Sequence, residues 1–591
     1  MRDRWVVTLA IGAWLGALAS WPLPRVVGAV VALVGLACRR PALLVLGVAL
    51  LACSLGAAAR AGLAPEPERA FVGEVTLVSD PVPVRGGVRV DVRAHGARYE
   101  AVAHGAAARQ LRARAAGDLV RLDGRVKPRP RDAPWLDARH VVARLEVSRV
   151  HGARDGSIAA RLVNGLRGVL ARGARALPSE QRPLYTGMVF GDDRGQTPVT
   201  IDDLRAAGLG HLLAVSGQNV AVTLAAARPL LERCRYRVRF PLTLAFLGLL
   251  VLVTRAEPSV LRAAAMSGIV ALAATLGRSA SSLRVLALAV TGLVLVDPLL
   301  VDAVGFQLSV AASAGIVVFA TPLALRLPLP RALADVASVT VAAQLAVAPV
   351  ALSAFGGLPV AALPANVVAA PASGPVMVWG ATAGVVAGLI GGPVATVLHA
   401  PTRLLLWWVQ VVGGVAGRLP LGELRAGHVA LAAVAGAVWA TVRPQARRRR
   451  RALRGVAAVT LASALLHPAW ELRGMRVTDA AVATGVRLWR DGDHAVVMLD
   501  GRADPVRTLQ ALRRAGVRRL DLVVARSGSV LVSDVVRALD ARYRVGAVWA
   551  PARHEIRGAA TPAAGTTARA GPFTVTVEAV QPRLLVDVTR A

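Results

Sequence analysis

Apolar runs at about 5–19, 26–38 and 42–60 open the chain. The first two are short against the ~20 residues that a helix needs to cross a hydrocarbon core, so tilt, flanking residues or a hairpin arrangement must complete them. From 208 to 467 the pattern predicts ten more membrane spans: about 210–229, 237–254, 259–276, 283–297, 304–325, 335–353, 374–391, 402–417, 427–442 and 453–467. The Pro- and Asn-containing run 358–371 reads as a re-entrant or extracytoplasmic segment. Between the two apolar regions the period changes. Val72–Val78, Val88–Val92, Tyr99–Ala103, Leu119–Val126 and His140–Val150 alternate between apolar and polar residues and are separated by Gly, Pro and Asp. Such spacing predicts the strands of a small barrel or sandwich. An amphipathic stretch, Ile158–Leu177, and a helical patch, Glu180–Phe190, lead into the bundle. Beyond 468 the chain returns to mixed α/β character. Strands are expected near Val477–Val482, Ala495–Leu499, Leu520–Val524, Val545–Trp549 and Thr574–Val577, with helices at Val506–Ala515 and Val530–Arg542.

Composition agrees with a multi-pass membrane protein: 55% of the 591 residues are hydrophobic, and mean hydropathy is +0.53. Seventy basic residues against 36 acidic ones give +34, and Lys127 is the sole lysine. That charge favours a polyanionic partner or anionic lipid headgroups. Cys38, Cys53 and Cys234 lie in or beside apolar segments, which rules out a soluble-domain disulfide framework and a Cys-based zinc site. Arg2 and Arg4 before an apolar run resemble a signal peptide, but the spans that follow favour a retained first helix. With that end in the cytoplasm, three crossings put 64–155 outside, and ten more put 468–591 outside as well. Arg39-Arg40, Arg233–Arg239, Arg278/Arg284, Arg326/Arg331, Arg403 and Arg447–Arg451 then fall inside, as the positive-inside rule requires. Arg447–Arg451 is read as a topogenic anchor.

The expected organisation is thus 1–63 (N-terminal helices), 64–156 (β domain), 157–207 (helical lead-in), 208–467 (helical membrane bundle) and 468–591 (α/β domain). One span carries unusual chemistry. His211, Ser216, Gln218 and Asn219 fall within nine residues of an otherwise apolar helix. Polar side chains in hydrocarbon face a bundle interior or a water-filled path. The cluster therefore marks either a polar conduit or interhelical hydrogen bonding. Ser216-Gly217 also permits a helix break or a close backbone approach. Intramembrane hydrolysis is not supported, because no Gly-x-Ser-x-Gly elbow or acid partner accompanies Ser216 and His211. Asp192 and Asp193 are expected to cap the helix near Pro198–Leu204 or to order a turn.

Gly210-His211-Leu-Leu-Ala-Val-Ser216-Gly217-Gln218-Asn219-Val, preceded by Gly191-Asp192 and Ala207-Gly208-Leu209, resembles the hallmark of ComEC-type competence channels. Pro258-Ser-Val-Leu-Arg262-Ala, then Asp297-Pro298 with Gly305-Phe306-Gln307-Leu308-Ser309, then Ala343-Gln344, Pro349, Asn366 and Pro371 follow in the family's order. The resemblance implies a polytopic α-helical membrane protein of the cytoplasmic (inner) membrane, with an extracytoplasmic OB-like β-barrel domain and a C-terminal metallo-β-lactamase-like domain. It implies transport of single-stranded DNA during natural transformation, with a surface DNA receptor and a cytoplasmic ATPase as partners besides membrane lipids. The implied DNA path holds His211, Ser216, Gly217, Gln218, Asn219, Arg262, Gln307, Ser309, Gln344 and Asn366. Arg255 and Arg262 would meet phosphates near the outer mouth or reach for lipid headgroups. Gln307, Ser309, Gln344 and Asn366 would line the path or bond helices together.

The C-terminal domain departs from the family's pattern. After Leu520–Val524, where metal-holding His and Asp belong, stand Ser527, Ser529, Leu531 and Val532. Hydroxyls and aliphatics cannot hold a hydrolytic two-metal centre. The expectation is no catalytic residue, no metal, no cofactor and no nuclease. His494 and His554 read as isolated surface histidines. The domain, 19 basic against 12 acidic residues over 468–591, would serve as a docking surface. No Walker A motif is present, so a separate ATPase or the membrane potential must drive transport. The alternative from another class is a small-solute or lipid-handling transporter with a basic exterior, for which inverted repeats or paired broken helices would be expected and are not seen.

Overall fold

The computed structural model describes residues 3–590 except 85, 131–132, 280, 442–446, 554–555 and 582. The chain forms two compact units. One comprises Met1–Gly195, His211–Val350 and Ala370–Trp408, the other Gln196–Gly210, Ala351–Ala369 and Val409–Ala591.

In the first unit the opening apolar runs form the helices Asp3–Ala19, Arg25–Ala37 and Pro41–Ala61. Small residues bring them together. A Cβ on Gly35 would sit 2.4 Å from the Leu44 nitrogen, and one on Gly47 only 2.1 Å from the Ala32 nitrogen. Backbone contact of this kind is what apolar helices use when lipid and side chains are equally oily.

The alternating stretch forms β1 (Arg69–Leu77), β2 (Val82–Val84), β3 (Gly87–Ala94), β4 (Ala97–His104), β5 (Leu119–Pro128) and β6 (Val141–Arg154). β1 pairs with β5, β5 with β6, β6 in parallel with β4, β4 with β3, and β3 back to β1 through Thr76–Arg93 and Leu77–Val92. The circuit of pairings is closed. Phe71, Val75, Val90, Tyr99, Leu111, Leu122 and Leu145 fill its interior, joined by Leu299 from a loop of the helical region. Arg139 spans the buried carboxylates Asp91 and Glu100, 3.2 Å from the latter.

Each expected span corresponds to a helix, and five helices among the described residues are long and apolar enough to cross a membrane: Pro41–Ala61, Pro258–Thr275, Val304–Ala324, Arg331–Phe355 and Ala362–Ile390. Arg25–Ala37 and Ser282–Val296 are shorter apolar helices. The molecule is a mostly helical membrane protein with attached β-sheets. Two expectations are corrected. The expected helix from 210 begins only at Gly217, after a 3-10 turn at Gly210–Leu213 and three non-helical residues. The run 358–371 is a two-residue strand at Leu358–Pro359 followed by helix from Ala362, which passes through Pro371 and Pro375 without ending. Proline costs a helix one hydrogen bond, and packing outweighs that loss here.

In the second unit β7 (Leu358–Pro359) pairs with β8 (Glu423–Leu424). Beyond the helix Arg447–Gly474 come β9 (Val477–Ala483), β10 (Val486–Asp491), β11 (His494–Leu499), β12 (Arg519–Ala525) and β13 (Arg544–Trp549), in the order β13-β12-β11-β10-β9. A three-stranded sheet follows: β14 (Thr567–Ala570), β15 (Phe573–Ala579) and β16 (Leu585–Arg590). The alternation of β11 sorts its two faces. Val497 and Leu499 pack with Leu509, Leu512, Val535 and Leu539 of the helices Pro505–Arg514 and Val530–Arg542. Val496 and Met498 pack on Phe573, Val575 and Val577 of the small sheet. The result is one helical layer on two sheets.

Candidate functional site

The polar cluster sits where the chain unwinds and re-enters a helix. Ser216 is extended, with φ −105° and ψ 161°, and the helix Gly217–Glu232 starts behind it. Ser216 Oγ donates to Asn219 Oδ1 at 2.8 Å, and Asn219 Nδ2 donates to the Met188 carbonyl at 3.1 Å. The buried Asn219 therefore pins the helix start to the helix Arg182–Phe190. His211 and Gln218 are exposed; together with Met188, Ser216, Asn219 and Ser373 they line a recess of about 10 Å³. That is room for about one water.

Behind the recess lies Arg262, on the helix Pro258–Thr275 and only 8% exposed. Its Nε donates to Ser309 Oγ at 2.8 Å, and Nη1 lies 3.3 Å from Met266 Sδ. Among the described residues no acidic side chain pairs with it. A Cβ at position 217 would stand 2.4 Å from Arg262 Nη2 and 3.0 Å from the Ser259 carbonyl. Glycine is required there so that the guanidinium can lie against the helix start. Ser259 Oγ closes the contact by donating to the Val215 carbonyl at 3.1 Å. A charge held among apolar helices without a counter-ion is expensive, and such residues mark pathways for charged cargo.

The structure thus gathers Ser216, Gly217, Gln218, Asn219, His211, Arg262 and Ser309. It does not gather the others. Gln307 Nε2 donates to the Val301 carbonyl at 2.7 Å and fixes the turn before its own helix. Gln344 is half-buried, two residues past Ala342, whose carbonyl would be 2.5 Å from a Cβ on Gly315. Just beyond that crossing, Ile316–Ala320 widen into a π-turn, a feature frequent at functional sites. Asn366 belongs to the second unit, where Nδ2 bonds the carbonyls of Ala362 and Gly208, the latter in a left-handed turn at φ 68°. Arg255 is not a free headgroup contact. It grips Asp80 at 2.8 Å and Asn164 at 2.7 Å. Asp192 orders a turn by bonding Arg194, while Thr197 caps the helix Pro198–Ala206.

Sequence reasoning missed the Asp80 network, whose members lie up to 175 residues apart. Arg167, 6% exposed, bonds Asp80 at 2.8 Å and the carbonyls of Phe190 and Val253. Burial pulls Arg167 down to about 10, with Asp80 opposing. Burial would raise Asp80, yet Arg255 and Arg167 hold its carboxyl below the usual range.

In the second unit, the residues after β12 do not make a metal cradle. Ser527 and Ser529 hydroxyls bond each other at 3.2 Å, and Val532 is fully buried in the domain core. His494 lies 3.1 Å from Asp521; His554 falls outside the described residues. Nearby, Asp202 and Asp203 meet Arg513 and Arg542, and Arg513 reaches Glu423 at 3.0 Å. Burial pushes Asp203 up to about 6, against the pull of Arg542 and Arg418.

The fold and this site define a class: a polytopic helical membrane protein whose bundle holds a buried, acid-free arginine at a broken helix. Residues 188–450 match the family model described as Competence protein. The chain is thus similar, over less than half of its length, to the competence family whose ComEC-type motifs it resembles. It is 27% identical over 237 residues to ComE operon protein 3 of Bacillus subtilis (strain 168), a match covering 40% of this chain. The chain spans about 30% of the length of that relative. No solved structure matches the chain.

Proposed function

We propose that this protein carries single-stranded DNA through the cytoplasmic membrane during competence. The observation that carries the reading is Arg262. Inside the competence-family match, one buried guanidinium lies against the start of a helix at Gly217, beside a polar recess and with no carboxylate partner among the described residues. Phosphodiesters passing a low-dielectric barrier need fixed positive charge with replaceable partners, and a neutral Ser309 hydroxyl is replaceable. At about 10 Å³ the recess admits no nucleotide, so transport requires the surrounding helices to part. No observation favours the solute- or lipid-transporter reading.

The closed circuit β1-β5-β6-β4-β3, with a helix between β4 and β5, supports an OB-like domain. The layered α/β domain supports a metallo-β-lactamase-like ancestry, and Ser527, Ser529, Leu531 and Val532 support loss of its nuclease. The arginine distribution supports a position outside the membrane for both domains, and the loops 254–257 and 297–303 support it for the β domain. Arg255 and Asp297 there contact Asp80 and His140. A surface receptor and a separate ATPase complete the pathway. The test is a deletion strain of the source organism supplied with labelled DNA. Surface binding without cytoplasmic arrival, restored by the intact gene, supports the proposal; normal arrival in the deletion refutes it.

A further inference from the structure

A second cluster of chemistry lies in the other unit, away from every motif used so far. The helix Ala426–Thr441 carries His428 near its start, and the helix Arg447–Gly474 carries His467 and Glu471 near its end. The two helices pack on one another. Four residues apart, His467 and Glu471 share a helix face. His428 Nε2 is 3.1 Å from His467 Nδ1, which is 3.5 Å from Glu471 Oε1. All three ligand atoms lie within 4.8 Å of one another.

We propose that His428, His467 and Glu471 form a divalent transition-metal site that clips the two helices together. The spacing is the first argument. Ligands about 2.05 Å from a tetrahedral ion stand about 3.3 Å apart, and the observed 3.1 and 3.5 Å bracket that edge. The donor set is the second. Two imidazoles and a carboxylate suit Zn²⁺ and its neighbours rather than Mg²⁺ or Ca²⁺, which take oxygen ligands. Three protein ligands leave a fourth position for water or an anion.

Hydrogen bonding supplies the third argument. The Arg425 amide donates to His428 Nδ1 at 3.1 Å, so the His428 proton resides on Nε2 and points at the His467 Nδ1 lone pair. His467 Nδ1 then accepts from His428, and the Glu471 Oε1 acceptor 3.5 Å away from it finds no proton there. A cation at their centre satisfies all three. Ligation moves the His428 proton from Nε2 to Nδ1 and releases the Arg425 amide, with no net change in protonation. The 3.1 Å amide bond is the modest cost of closing the clip. His467 is half-exposed, so ions can enter from water. Glu471 and Arg425 also line a cavity of about 550 Å³ shared with Arg418, Arg513 and Arg514.

The test uses the full chain without a polyhistidine tag, purified in detergent and stripped with chelator. Co²⁺ titration followed by visible absorption should give tetrahedral d–d bands saturating at one equivalent, displaced by Zn²⁺ but not by excess Mg²⁺. His428→Gln and His467→Gln should each weaken binding about tenfold or more, and Glu471→Gln should weaken it less, because the amide oxygen remains a poor ligand. The proposal is overturned if the stripped wild-type chain shows no one-equivalent Co²⁺ spectrum. It is overturned equally if His428→Gln and His467→Gln, eluting as monodisperse protein, bind Co²⁺ as the wild type does. The wild-type spectrum decides the question even if a variant fails to fold.

Discussion

Arg262 Nε donates to Ser309 Oγ at 2.8 Å, joining the helices Pro258–Thr275 and Val304–Gly315 through a charge that has no acidic partner among the described residues. The bond is to a neutral hydroxyl, so under the proposed function a passing phosphate competes with Ser309 rather than with a carboxylate. Arg262→Gln should therefore lower cytoplasmic arrival of labelled DNA at least about tenfold, the scale of one charged hydrogen bond, while the protein still inserts. Arg262→Lys, which keeps the charge but loses the fork, should fall between. Wild-type uptake by Arg262→Gln at normal membrane abundance would end the conduit assignment.

Gln218 and Asn219 are neighbours with different duties. Gln218→Leu should insert normally and impair passage, since its side chain is exposed at the recess. Asn219→Leu should instead destabilise the protein by about 1–3 kcal/mol, because the buried Met188 carbonyl loses its donor. Thermal melting in detergent separates the two. Equal melting of both variants would contradict the distinction.

Asp80 tests the junction between the β domain and the helices. Buried Arg167 and half-buried Arg255 both depend on it, so Asp80→Asn should cost about 3–5 kcal/mol at neutral pH. Its folded pKa lies below its unfolded one. The stabilisation is thus complete above the ordinary carboxylate range and fades as pH falls through the lower, folded value. The melting difference between wild type and Asp80→Asn should shrink at acid pH; a constant gap would argue against the ion pairs.

Asp203 behaves oppositely. Its folded value of about 6 lies above the unfolded 3.8, so its contribution is present below 3.8 and lost as pH rises through 6. Over that window wild type should lose up to about 3 kcal/mol relative to Asp203→Asn. Matched melts at pH 4 and 7 measure this.

The full chain incubated with labelled DNA and Mn²⁺, Mg²⁺ or Zn²⁺ should leave it uncut. Chelator-sensitive cleavage absent from a mock preparation would show that ligands come from outside the Ser527–Val532 stretch.

Leu119–Pro128 was legible because its apolar residues alternate with polar ones, and Arg519–Ala525 because it is a short apolar run buried on both faces. β2, β10, β14 and β16 were missed. β2 is three residues long, and β10 alternates arginines with apolar residues, as in Arg487-Leu-Trp-Arg490, which masks its apolar face. The start of the helix from Ala362 was misread because Pro364, Asn366 and Pro371 count against helix locally, whereas the helix runs unbroken to Ile390. At the site, Ser216-Gly217 announced the break, and the ordered motifs announced Arg262 and Ser309. That Arg255 belongs to Asp80 was invisible, since nothing in a local window links residues 175 positions apart.

The helix Arg25–Ala37 buries Gly28 and Gly35, half-buries Ala32, and presents Val26, Val30, Leu33, Val34 and Leu36 outward. Thirteen residues rise about 20 Å, against a hydrocarbon slab of about 30 Å. Where so short a face meets lipid, local thinning of the bilayer or the reach of the flanking residues makes up the difference, at a fraction of a kcal/mol per ångström.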